Sequence, residues 1–154
     1  ERELRSLRKN GVQIRHLGRC EGVNERLVRK INHAVASTRG NSKLVLNVAF
    51  NYGGRDEVVR AVQRIISAEL EPEEITEQVI SQQLYTAGQP DPDLIIRTSG
   101  EYRISNFMVW QGAYSEWYFS HALWPDFDEE ELNRAVVFFS SRERRFGLVS
   151  EQVG

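Results

Sequence analysis

Leu44-Val45-Leu46-Asn47-Val48-Ala49-Phe50-Asn51, closed by Gly53-Gly54, is the stretch on which the fold turns. Its residues are almost wholly apolar, the pattern of a strand covered on both sides inside a parallel sheet. Downstream, Asp93-Leu94-Ile95-Ile96-Arg97 repeats the pattern in a shorter form. Upstream, Val12-Gln13-Ile14-Arg15-His16-Leu17 alternates apolar and polar residues before Gly18, as a short strand does. Glu116 to His121 supplies a fourth strand, rich in aromatic residues.

Helical periodicity fills the intervals. Val23, Leu27, Ile31, Ala34 and Val35 recur at steps of three and four until Arg39-Gly40-Asn41-Ser42 stops the run. Val58, Ala61, Val62, Ile65 and Ile66 share one face of a helix from Arg55 to about Leu70, and a weaker helix spans Glu73 to Leu84. A short helix is predicted from Ser105, its N-cap, to Ala113. The closing helix opens on Asp128-Glu129-Glu130-Glu131, carboxylates suited to the positive end of a helix dipole, and turns Leu132, Ala135, Val136 and Phe139 inward. This alternation predicts an α/β fold, a mainly parallel central sheet flanked by helices, in a single domain over residues 1–154. Glu1 to Lys9 reads as a helix entered midway, so an amino-terminal part is expected to be missing.

Composition narrows the function classes. Twenty basic against 22 acidic residues give a formal charge of -2, which offers no general field for nucleic acid or an anionic membrane. Any anion site must be local. Cys20 is the single cysteine, so no internal disulfide forms, and a reducing, cytoplasmic setting is expected. No apolar run approaches the roughly 18 to 20 residues of a membrane span. His16, His33 and His121 lie far apart, without zinc-ligand spacing.

The densest polar cluster is Arg97-Thr98-Ser99-Gly100-Glu101-Tyr102-Arg103-Ile104-Ser105-Asn106, just past a buried strand, where an open α/β sheet presents its binding crevice. Two guanidinium groups, the Ser105 hydroxyl and free amides at a helix start suit a phosphate or diphosphate. The structural alternative pairs Arg97 and Arg103 with Asp93, Glu101 or the helix dipole. In the second cluster, Trp110 to Phe119, Glu116 is a carboxylate among rings. It is either a ligand for a divalent cation such as magnesium or an acidic residue at a strand edge. The third cluster, Asn51-Tyr52-Gly53-Gly54-Arg55-Asp56-Glu57, lacks the spacing of a dinucleotide or nucleotide loop and reads as a structural turn.

Taken in order, Asn51-Tyr52-Gly53-Gly54-Arg55, Pro92 to Glu101, Arg103-Ile104-Ser105-Asn106-Phe107, Trp110-Gln111, Tyr114-Ser115-Glu116 and Leu123-Trp124-Pro125-Asp126-Phe127 resemble the signature blocks of the cis-prenyltransferases of the undecaprenyl diphosphate synthase type. The likeness runs on to Arg142-Glu143-Arg144-Arg145-Phe146-Gly147. It implies condensation of isopentenyl diphosphate with an allylic diphosphate such as farnesyl diphosphate, giving a polyprenyl diphosphate for a membrane lipid carrier. Carried over by residue, it implies that Arg97, Arg103 and Ser105 hold the diphosphate of isopentenyl diphosphate, that Glu101 supports them and that Glu116 helps hold Mg2+. It also implies a homodimer, with Arg144, Arg145 and Gly147 near the interface. Leu46, Val48 and Phe50, on one strand face, are expected either along the wall of a tunnel for the growing chain or in the core, which explains them equally well. The family's first block, an Asp-Gly-Asn-Gly-Arg-Trp-Ala-like loop, has no counterpart, so the catalytic aspartate is expected upstream of Glu1. The chain is therefore expected to be a carboxy-terminal portion, inactive alone. The competing expectation is a non-catalytic partner subunit.

Overall fold

Val12–Leu17 (β1) and Leu44–Ala49 (β2) lie parallel, with Val12 opposite Leu44 and Leu17 opposite Ala49. The connection between them is the helix Glu25–Thr38 (α2), capped by the Asn24 side chain, which accepts from the Arg26 amide. A computed structural model describes residues 2–142 and divides them after Gln89 into two compact units, described in turn.

In the first unit, Arg2–Lys9 (α1) and α2 both pack on β1. The far edge of β1 is closed by side chains rather than by a strand. The Ile14 amide donates to Thr38 Oγ1 at 2.9 Å, and Asn41 Nδ2 donates to the Val12 carbonyl at 2.8 Å. Both strands end close together: at Gly18, with φ +133°, an added Cβ would fall 2.2 Å from the Phe50 carbonyl oxygen. The helix Gly54–Ser67 (α3) follows β2 and packs on Glu77–Gln83 (α4), which begins at the Thr76 cap. Val12, Leu17, Ala61, Ile65 and Leu84 are its buried apolar residues.

Three expectations change here. β2 is exposed along its whole length, Leu44 at 59%, instead of covered on both faces. The reason is that α1 and α2 sit over β1 and leave an open apolar groove of about 300 Å3 beside Leu46 and Val48. On α3 the buried stripe is Glu57, Ala61 and Ile65, while Val62 and Ile66 face outward. The predicted helix from Glu73 to Leu84 is two pieces, because a 3-10 turn at Pro72–Glu74 ends in extended backbone at Ile75 before Thr76 restarts the chain as α4.

In the second unit Leu94–Arg97 (β3) and Glu116–Phe119 (β4) are also parallel, Leu94 opposite Glu116 and Arg97 opposite Phe119. The closing helix Glu129–Ser140 (α5) starts at Asp128, whose carboxylate accepts from the Glu131 amide at 2.9 Å, and packs on β4 through Phe138 against Tyr118. Ala135 is buried as expected. Leu132 and Val136 are exposed, and Glu131 takes the inward place instead. The helix expected from Ser105 to Ala113 does not form. Ser105, Asn106 and Met108 all adopt positive φ, incompatible with a right-handed helix, and only a 3-10 turn at Gln111–Tyr114 remains. The α/β class with parallel strands and flanking helices holds.

Candidate functional site

Because β3 and β4 are parallel, both carboxyl ends emerge on one side, bringing the loop after Arg97 beside Ser120 and His121. The loop continues the ladder past the strands. Ser120 N donates to the Arg97 carbonyl, Gly100 N to the Ser120 carbonyl and Ser99 N to the Ala122 carbonyl, each at 2.8 Å. Gly100 turns at φ +64°, with His121 packed so closely that a Cβ there would stand 3.1 Å from its Nδ1. Ser99, Ser105, Asn106 and Met108 are non-glycine residues in left-handed conformation, so strained backbone is concentrated in this one segment.

Arg97, half-buried at the end of β3, makes no ion pair or side-chain hydrogen bond with another described residue. Arg103 is paired to Glu101, so the structural alternative is realised for that arginine. Ser105 is exposed two residues further on and caps no helix, which corrects the expectation of free helix amides at this point. Arg97, Glu101, Arg103 and Ser105 thus share one loop, at the carboxyl end of a parallel strand pair. A guanidinium without a counterion among the described residues, in such a loop, is chemically a place for an anion.

Glu116 is not gathered into that loop. It opens β4 opposite Leu94, three register steps from the Arg97 and Phe119 pair, roughly 10 Å along the strand. Its Oε2 lies 3.2 Å from Arg142 Nε. Among the described residues no three acidic, histidine or cysteine side chains cluster as metal ligands. One carboxylate fits magnesium's habit of taking few protein ligands and completing its shell with phosphate and water oxygens. Arg144, Arg145 and Gly147 lie outside the described residues.

Two side chains passed over in the sequence brace the site. His121 Nε2 is 3.0 Å from the Tyr102 hydroxyl. Glu131 Oε1 accepts from Ser120 Oγ at 2.6 Å and Tyr118 Oη at 3.1 Å, while Arg134 Nε lies 2.8 Å from its other oxygen. The Ser120 hydroxyl bond, with help from Tyr118 and Arg134, holds the Glu131 carboxyl below the usual carboxylate range against the opposing effect of desolvation. A lowered folded pKa contributes stability that is present above the unfolded value and lost as pH falls through the folded one. Glu131→Gln is therefore expected to lower the urea midpoint at about pH 7, with the gap to the parent protein closing in acid below the usual carboxylate range. A gap independent of pH would remove Glu131 from this role. The Asn51 to Glu57 turn is also braced: Asn51, at φ 51°, donates from Nδ2 to the Arg19 carbonyl, and Arg19 pairs with Asp56 at 2.9 Å.

The family model described as putative undecaprenyl diphosphate synthase matches residues 1–147. An isoprenyl transferase of Heliobacterium mobile is 49% identical over 152 residues, covering 96% of this chain and 58% of that protein. A (2E,6E)-farnesyl-diphosphate-specific ditrans,polycis-undecaprenyl-diphosphate synthase of Aliivibrio fischeri is 47% identical, covering 99% and 61%. The chain thus spans about three fifths of these curated relatives' length. Among solved structures, a probable undecaprenyl diphosphate synthase from Campylobacter jejuni superposes with a TM-score of 0.85 at 35% identity, covering 95% of this chain and 68% of that one. Lavandulyl diphosphate synthase from Lavandula x intermedia, in complex with dimethylallyl diphosphate, gives 0.88 at 33%, covering 94% and 65%.

Proposed function

The chain belongs to the undecaprenyl diphosphate synthase family of cis-prenyltransferases, and from that premise we propose that it carries the isopentenyl diphosphate half of a prenyl-transfer site. The observation that carries this reading is the Arg97 guanidinium, without a described counterion, at the carboxyl end of β3. Arg97 binds the diphosphate and offsets its charge. Arg103 joins it by exchanging Glu101 for a phosphate oxygen, and the Ser105 hydroxyl donates to the same group. Held in this way, the five-carbon substrate keeps its double bond oriented for attack on an allylic diphosphate such as farnesyl diphosphate.

Magnesium is the cation proposed for the site. Glu116 is the carboxylate this chain would offer it, and the ion would supply neutralisation of diphosphate charge. The groove beside Leu46 and Val48, lined also by Leu7, Ile14, Leu27 and Ile31, supplies an apolar wall for a growing prenyl chain. Phe50 is not among the residues that line it. No helix among the described residues is long and apolar enough to cross a membrane. A cytoplasmic homodimer is proposed on the family resemblance, as is the position of the catalytic aspartate outside this chain.

Radiolabelled isopentenyl diphosphate, incubated with farnesyl diphosphate and magnesium, tests the reading. The complete protein is expected to form butanol-extractable polyprenyl product, and the 154-residue chain alone to form none. Product made by the chain alone would refute the assignment of half a site. A complete protein that binds isopentenyl diphosphate without turnover would favour the partner-subunit reading.

A further inference from the structure

The loop that holds Arg97 and Arg103 is in an unfavourable backbone state. Four of its non-glycine residues, Ser99, Ser105, Asn106 and Met108, are left-handed, at a cost on the order of 1 kcal/mol or more for each except the more tolerant Asn106. Something outside the loop's own backbone must hold it. Up to Gly100 the ladder bonds to Ser120 and Ala122 do so. Beyond Gly100 the next tether is a side chain, Tyr102. Its ring packs on Phe119 of β4 with centroids 5.2 Å apart, and its hydroxyl lies 3.0 Å from His121 Nε2, a hydrogen bond whose donor is set by the imidazole tautomer. The same imidazole lies against Gly100, with its Nδ1 3.1 Å from where a Cβ would be. His121 therefore touches the loop twice, once at the turn and once at the residue immediately before Arg103.

We propose that Tyr102 and His121 form a clasp that positions Arg103 for the diphosphate. They are positioning residues, acting through the loop rather than on the substrate. This rests on the reading of the loop as the isopentenyl diphosphate site. The geometry favours a clasp over incidental packing because Tyr102 is 65% exposed. A ring left that open gains little from burial, so its fixed place comes from the Phe119 contact and the hydroxyl bond. Arg103, which must leave Glu101 to reach a phosphate, depends on the residue before it staying in place while its own partner changes.

The test is steady-state kinetics on the complete protein with Tyr102→Phe, His121→Ala, the Tyr102→Phe/His121→Ala double variant and His121→Gln. Tyr102→Phe keeps the ring on Phe119 and removes only the hydroxyl. Tyr102→Phe and His121→Ala are each expected to raise KM for isopentenyl diphosphate about 2- to 10-fold, as the loss of one neutral hydrogen bond does. The change should fall on that KM rather than on kcat or on KM for the allylic substrate. The double variant should be no worse than the poorer single one, and His121→Gln, which keeps a hydrogen-bonding group, should recover most of the loss. Multiplying effects in the double variant, equal rises for both substrates, or an unchanged KM would overturn the clasp. Arg97→Ala, run alongside, separates the two levels of the argument. If it too leaves that KM unchanged, the reading of the loop fails. If it raises KM while Tyr102→Phe does not, only the clasp fails. Should the complete protein bind without turnover, titration calorimetry with isopentenyl diphosphate reads the same pattern as dissociation constants.

Discussion

Glu57→Ala is expected to destabilise the protein by about 3–5 kcal/mol, most of what a marginally stable unit can lose. Glu57 is 1% exposed, yet its carboxylate is satisfied: Oε2 accepts from the Tyr52 hydroxyl at 2.5 Å and Oε1 from the Tyr85 amide at 2.6 Å. One side chain on α3 thereby fastens both the turn after β2 and the segment after α4. Alanine removes two charge-assisted bonds, each worth about 1.5–3 kcal/mol, and withdraws the acceptor from a part-buried amide. Glu57→Gln keeps an acceptor oxygen and should cost only about 1–2 kcal/mol. Urea unfolding of both variants provides the measurement. A shift in midpoint without a change in slope reports stability alone, and equal midpoints for Glu57→Ala and the parent protein would show that the two bonds contribute nothing net.

How far the sequence carries the fold is visible in β2. Its apolar run marks a strand of a parallel sheet, and Val12–Leu17, which the structure pairs with it, reads as a strand with the observed bounds, because strand formation is a local pattern of residues. The cover over β2 was not legible, since burial depends on what packs nearby, and the helices sit over β1. The same division runs through the site. Arg97, Glu101, Arg103 and Ser105 were found together because they are neighbours in one loop after one strand. The failed helix at Ser105 turned on three left-handed residues, of which only Asn106 belongs to a type that tolerates that conformation well. Local preference does not predict that conformation for Ser105 or Met108. Glu116 is assigned to magnesium on resemblance, and only the strand register shows that it lies at the opposite end of β4 from the Arg97 loop. The Tyr102 and His121 pair spans 19 residues, and nothing in either residue's own neighbourhood marks it.

The arginine of larger effect follows from the same contacts. Arg97→Ala is expected to weaken isopentenyl diphosphate by about 1.5–3 kcal/mol, the range for hydrogen bonds to a charged group, or roughly 10- to 150-fold in its dissociation constant. Arg103 starts from a different reference state. Its guanidinium is already paired to Glu101, so binding exchanges one anion for another and the net gain is smaller. Arg97, with no described counterion, gives up only water. Arg97→Ala should therefore exceed Arg103→Ala, and Glu101→Gln, which frees Arg103 without touching Arg97, should leave affinity equal or improved. Lysine at position 97 should recover part of the loss by restoring charge without the two-pronged geometry of the guanidinium. Calorimetric titration with isopentenyl diphosphate at fixed ionic strength measures all four variants. The reverse order, Arg103→Ala the more damaging, would mean that the Glu101 pair is abandoned before substrate arrives and that Arg103 is the principal anion contact.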